Sequence, residues 1–117
     1  MFNNLILIGL AGGLGTMLRF LVQKNLNTSL PWGTFAVNIT GCLLAGLTLG
    51  YFSRHFHEEK QFILLAGFCG GFTTYSSFAV EGLYMLQHQR WLNFFIYTVL
   101  SISLGLIATF IGFKITS

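Results

Sequence analysis

The chain has 117 residues, of which 54% are hydrophobic and only 8% charged, and its formal net charge is +3. A soluble domain carries about 25% charged residues, so the composition points to lipid as the solvent and argues against a soluble catalytic or nucleotide-binding domain. The few cations sit near the ends of apolar runs and form no basic patch, so no nucleic-acid partner is expected, and with so little of the chain left outside apolar runs no enzymatic activity is expected either.

Four apolar runs can be drawn, over residues 5–22, 33–52, 62–86 and 91–113. Each is about the ~17–25 residues that a membrane-crossing helix requires. The expected fold is therefore all-α and integral to the membrane, with residues 1–117 forming a single four-helix transmembrane domain. The first run has no small-residue cleavage site ahead of mature soluble sequence and reads as a retained helix, not a signal peptide. Its Gly9-xxx-Gly13 pair predicts a face for close helix approach. Gly13-x-Gly15 is no dinucleotide fingerprint, because it follows no strand and lacks the third glycine and a downstream acidic partner. Arg19, one turn beyond Gly15, either snorkels to the interface or gathers anions at a pore mouth.

Residues Gln23 to Pro31 read as a polar loop, and Trp32 and Trp91 fall on one side as interface anchors. In the second run Asn38 is an amide embedded in apolar sequence, equipped to bridge helices or to donate to an anion. Gly46-xxx-Gly50 offers another small-residue contact. The Ser53–Gln61 stretch, with His55, His57, Glu58 and Glu59, reads as a solvated connection, since its spacing does not favour a metal site. Cys42 and Cys69 stand alone, with no CxxC motif and no disulfide framework.

The third run contains Gly67-Phe68-Cys69-Gly70-Gly71-Phe72-Thr73-Thr74-Tyr75-Ser76-Ser77-Phe78. Glycines weaken a helix, and hydroxyl side chains compete for its backbone bonds. Gly67-xxx-Gly71 can mark a helix contact, with the hydroxyls bonding across it. Alternatively the helix breaks here, which lipid tolerates only where protein or water satisfies the backbone, and freed carbonyls could then hold a cation. Glu81 lies late in this run, close to the interface, and the absence of an acidic residue at mid-depth elsewhere weakens a proton-relay mechanism. In the fourth run Tyr97, Ser101, Gly105 and Thr109 recur every four residues, a polar stripe that back-bonding hydroxyls would also explain.

Basic residues are balanced across the membrane, with Arg54, Lys60 and Lys114 on one side and Arg19, Lys24 and Arg90 on the other. That leaves the positive-inside rule nothing to act on, so insertion in both orientations and pairing of opposed copies is expected. Four short helices also enclose too little to guard a pathway alone.

Three motifs in this order carry a resemblance to a known family: Gly12-Gly13-x-Gly15-xxx-Arg19, Gly33-Thr34-xxx-Asn38-xx-Gly41, and Gly67 to Phe78. Nearly end to end, the chain resembles the small bacterial fluoride channels, called Fluc or CrcB-like. The resemblance implies a fluoride-selective passive channel in the bacterial inner membrane that lowers cytoplasmic fluoride. It also implies an antiparallel, dual-topology homodimer, in contact with lipid, around a central sodium ion that is structural and not transported. By likeness, Gly70 and Thr73 would offer backbone carbonyls to sodium. Asn38, Tyr75, Ser76 and Phe78 would line the fluoride path, with Tyr97, Ser101 and Thr109 as its hydroxyl track and Arg19 as the vestibule charge. Tyr75 stands where the family usually has Phe, and Gly105 where Ser is more typical.

Two other classes compete. A small multidrug exporter driven by protons is also a dual-topology four-span dimer, but it needs a membrane-embedded carboxylate that the first run lacks. A structural subunit without transport activity would leave the hydroxyl stripe and the weakened helix unexplained.

Overall fold

The computed structural model describes residues 2–117 as helices joined by short turns, within an envelope of 47 × 29 × 20 Å. In chain order they are α1 (Phe2–Leu26), α2 (Trp32–Arg54), α3 (Glu58–Phe62), a π-helical segment (Ile63–Cys69), α4 (Gly70–Phe72), α5 (Tyr75–Gln87) and α6 (Trp91–Thr116). Segments α3 to α5 together make one bent, interrupted span. Four helices are thus long and apolar enough to cross a membrane, and the chain reads as a multi-pass membrane protein. At about 1.5 Å per residue, the 25 residues of α1 cover roughly 37 Å, more than the ~30 Å hydrocarbon layer.

The helices outrun their apolar cores because polar residues at the water interface still form helical bonds. Gln23 therefore belongs to α1, and the connection to α2 shrinks to residues 27–31. Asn27 organises it: its Oδ1 accepts from Gly33 N at 2.7 Å and Thr34 N at 3.1 Å, satisfying orphan donors at the start of α2. On the opposite side, His57 Nδ1 accepts from Lys60 N, while Glu58 and Glu59 complement the positive helix end. The α5–α6 turn closes with Gln89 in the left-handed region (φ 57°). Gln89 N donates to Leu86 O at 3.2 Å and Arg90 N to Met85 O at 2.8 Å, the paired bonds of a Schellman end. Arg90 Nη1 then donates to Ser29 O at 3.1 Å, tying this turn to the α1–α2 turn.

The helices pack as two parallel pairs held by small residues. A side chain at Gly46 or Gly112 would collide with the facing backbone at Thr109 or at Leu43 and Leu47, so α2 and α6 approach closely. Hydroxyls fasten the same seam, Thr109 Oγ1 donating to Cys42 O at 3.2 Å and Thr116 Oγ1 to Leu47 O at 2.9 Å. In lipid, such contacts replace the hydrophobic drive that assembles soluble bundles. The second pair is α1 with the π segment and α4. Here the close approach falls on Gly12 and Gly15 against Phe68, Gly71 and Phe72, whereas Gly9 and Gly13 face open space. The Gly9-xxx-Gly13 expectation is thus corrected within the chain, since the helix presents the neighbouring glycines of the same cluster. Large apolar residues such as Leu5, Phe20, Leu106 and Phe110 lie on the outside, as a lipid-facing surface requires.

Gly46→Leu should cost about 1–3 kcal/mol through overpacking, lowering the melting temperature of the purified protein in detergent. Gly105→Ala, whose added methyl would meet only Cys42 Sγ at an ordinary 3.4 Å, should melt close to the parent.

Candidate functional site

The site is built around the interruption between α4 and α5. Thr73 and Thr74 leave helical geometry, with ψ of 162° and 115°. Thr73 closes α4 by donating both its N–H and its hydroxyl to Cys69 O, each at 2.9 Å. Thr74 opens α5 as its N-cap, Oγ1 accepting from Ser77 N at 3.1 Å. The exposed backbone of Thr74 pairs with one side chain: Thr74 N donates to Asn38 Oδ1 at 2.7 Å, and Asn38 Nδ2 donates to Thr74 O at 3.1 Å. Asn38 thus bridges α2 to the interruption and keeps one amide hydrogen uncommitted.

The interruption redistributes carbonyls. In an unbroken helix Thr74 N would serve Gly70 O and Tyr75 N would serve Gly71 O. Thr74 N instead goes to Asn38, releasing Gly70 O, while Gly71 O accepts from Arg19 Nε at 3.0 Å. Arg19 therefore reaches the interruption as well as the membrane edge.

From Arg19 a directional chain of donors crosses the bundle. Arg19 Nη1 donates to Gln23 Oε1 at 3.2 Å, Gln23 Nε2 to Thr34 Oγ1 at 2.9 Å, and Thr34 Oγ1 to Glu81 Oε1 at 2.6 Å. Asn27 Nδ2 also reaches Thr34 Oγ1 at 3.3 Å, so this fully buried hydroxyl uses its one proton and both lone pairs. Tyr97 OH donates to Glu81 Oε2 at 2.9 Å, occupying the second carboxylate oxygen. Each donor points from the guanidinium toward the carboxylate, the sense in which such bonds reinforce one another. A cleft of about 260 Å³, lined by Asn27, Ser29, Glu81 and Tyr84 together with the apolar Pro31, Val80 and Met85, opens beside this cluster.

Aromatic rings continue from the interruption to the cluster. Tyr75 and Phe78 have ring centroids 6.1 Å apart, Phe78 and Tyr97 5.1 Å, and Phe35 and Tyr97 6.5 Å, all tilted. Tyr75 is 82% exposed, and Ser76 is exposed beside it with its Oγ 3.3 Å from Thr74 Oγ1.

The structure thus brings Asn38, Gly70, Thr73, Tyr75, Ser76, Phe78, Tyr97 and Arg19 around one interruption and its adjoining row of tilted rings. Ser101 and Thr109 follow along α6, toward the end where α2 and α6 close. Thr109 shares its proton between Cys42 O and Gly105 O, and Tyr97 has given its own to Glu81, whereas Ser101 Oγ is buried without a partner. Sequence reasoning left Glu81 out of the site, reading it as near the interface. The signal was its six-residue separation from Tyr75, which sets it fewer than two turns from the start of α5.

These features define a multi-pass helical membrane protein whose third span is broken by a hydroxyl-rich turn and whose polar groups converge inside the bundle. The family model described as "CrcB-like protein, Camphor Resistance (CrcB)" matches residues 6–113. A Flavobacterium psychrophilum protein named "Fluoride-specific ion channel FluC" is 42% identical over 116 residues, covering 94% of each chain. The protein of the same name from Phocaeicola vulgatus is 41% identical, over 94% of this chain and 95% of its own. "Fluoride-specific ion channel FluC 2" of Rhodococcus jostii is 41% identical, over 97% of this chain and 99% of its own. The chain belongs to the CrcB family.

Proposed function

We propose that this protein is a fluoride-selective passive channel of the bacterial inner membrane, lowering cytoplasmic fluoride that enters as the neutral acid. The observation that carries this reading is membership of a family whose relatives, similar over nearly their whole length, are named fluoride-specific channels. The chemistry of the site supports it. Fluoride is small and strongly hydrated, so a pathway must replace its water with donors. The second amide hydrogen of Asn38 and the hydroxyls of Ser76 and Ser101 are donors of the right kind, and the ring edges of Tyr75 and Phe78 carry partial positive charge. The hydroxyl of Tyr97 is held by Glu81, so its part is to place its ring against Phe78. Thr109 is likewise committed and marks the far end of the stripe. Neutral donors hold an anion weakly enough for it to leave, which conduction requires. Arg19 supplies positive charge at the approach.

The working unit in this proposal is an antiparallel homodimer. Two observations support it: the even distribution of basic residues, and the exposed Tyr75–Ser76 corner beside irregular backbone, which lipid does not tolerate uncovered. A structural, non-transported sodium ion fits the interruption, because Gly70 O has lost its helical donor and carbonyl oxygens suit a hard cation. Gly70 and Thr73 would hold it, and when bound it would supply a fixed positive charge at the centre of the dimer. Thr73 and Asn38 fix the backbone that presents those oxygens.

Liposomes containing the purified protein should release fluoride far faster than chloride, without a proton gradient, and replacing sodium by a large organic cation should weaken the release. Equal release of chloride and fluoride, or dependence on a proton gradient, would refute the channel reading; indifference to sodium would remove the ion from it. A tag on the C-terminus should be accessible from both membrane faces in comparable amounts, and a single orientation in nearly all molecules would exclude the antiparallel dimer.

A further inference from the structure

A hydroxyl within a helix ordinarily satisfies itself by donating to a carbonyl three or four residues back. This chain does so repeatedly: Thr48 to Leu44 O at 2.8 Å, Ser53 to Gly50 O at 2.6 Å, Thr73 to Cys69 O at 2.9 Å, Thr109 to Gly105 O at 3.0 Å and Thr116 to Gly112 O at 3.2 Å. Thr98 and Ser101 depart from that habit. Both oxygens are shielded from solvent, and neither has a hydrogen-bond partner among the described residues. A buried hydroxyl without a partner has lost its hydration and gained nothing in return, so such a group asks for an explanation.

The two residues stand three positions apart and so share one face of α6. Thr98 lies one heptad before Gly105, whose Cα faces Cys42 of α2, and two heptads before Gly112, which packs on Leu43 and Leu47. Continuing that line puts Thr98 at the start of the α2–α6 seam, next in sequence to Tyr97, whose ring lies tilted against Phe35 and Phe78. On this stretch of α6 the other expected donors are committed: Tyr97 to Glu81 and Thr109 to two carbonyls, while Gly105 has no side chain to give. Thr98 and Ser101 are the buried hydroxyls that remain there among the described residues.

Their spacing suits a small anion. Side chains at i and i+3 start about 5–6 Å apart. An ion accepting two charge-assisted O–H bonds of about 2.6 Å each needs donors about 5 Å apart. A larger halide needs longer bonds and so must sit off the line between the two hydroxyls, where their O–H bonds meet it less directly.

We propose that Thr98 is a specificity-determining residue of the ion path, its hydroxyl acting with that of Ser101 to hold one dehydrated fluoride ion at the α2–α6 seam. This rests on the fluoride-channel reading and adds a donor outside the four-residue stripe, in the part of α6 just before Gly105 leaves the stripe empty. Thr98→Val keeps the shape of the side chain and deletes only its donor, and Thr98→Ser restores a donor.

The test measures fluoride and chloride release from liposomes holding the purified full chain, parent and variants in parallel, with the oligomeric state read by size-exclusion chromatography. Thr98→Val should lose about tenfold or more in fluoride release and in the fluoride-to-chloride ratio, while Thr98→Ser stays within about twofold of the parent. Should Thr98→Val fail to assemble, Thr98→Ala decides on the same criterion. Parent-like fluoride release and selectivity from the assembled donor-less variant overturns the inference and leaves the channel reading standing. Equal loss in Thr98→Ser assigns the residue to packing and also overturns it. A parent that releases chloride as fast as fluoride overturns the channel reading, and this inference with it.

Discussion

The structure depends on one reciprocal pair of hydrogen bonds, between the Asn38 amide and the backbone of Thr74. A helix that stops inside a membrane leaves polar backbone groups without water, each costing several kcal/mol if unpaired. Asn38 answers both groups of Thr74 from a neighbouring helix. With Thr74 held, its hydroxyl caps α5, Tyr75 and Phe78 project from the first turn of that helix, and Gly70 O is released from the helical ladder. The interruption is therefore a built element that converts a plain membrane span into a place where backbone oxygens and donors face each other.

The second constraint is the donor chain from Arg19 to Glu81. A guanidinium and a carboxylate inside a small bundle are both costly unless they are hydrogen-bonded, and here Gln23 and Thr34 relay between them. The chain joins α1, α2 and α5, and Tyr97 attaches α6 to the same carboxylate. Arg19 also holds Gly71 O, so the cluster and the interruption are one connected system. Close glycine contacts at Gly15 against Phe68 and Phe72, and at Gly33 against Val22 and Gln23, hold α1 against α4 and α2 where these side chains meet.

Much of this was legible in the sequence, and the limits have physical causes. The four apolar runs gave the four spans because burial in lipid is a property of local composition. The weak point of the third span could be read from Gly70, Gly71, Thr73 and Thr74, whose preferences act within a few residues. The partner of Thr74 could not be fixed, because Asn38 is 36 positions away and its bridging and donor roles look alike in one dimension. Glu81 was legible as lying late in its span, but not its partners, because Thr34 is 47 positions away and Tyr97 is 16. Gly9 and Gly13 satisfied a spacing rule, yet Gly12 and Gly15 make the contact, since spacing fixes a face without saying which face has a neighbour. Thr98 was invisible for a related reason: nothing in a sequence reveals which hydroxyl fails to bond its own helix.

The central claim is that the Asn38-held interruption is the working part of an ion pathway and not only a packing solution. Fluoride release from liposomes, compared between the parent and an Asn38→Leu variant that still assembles, tests this most directly. The account predicts that the variant loses about tenfold or more of the parent's release, because the Thr74 backbone and the ion lose their shared partner together. An assembled Asn38→Leu protein that releases fluoride as fast as the parent, with its selectivity over chloride intact, would contradict it.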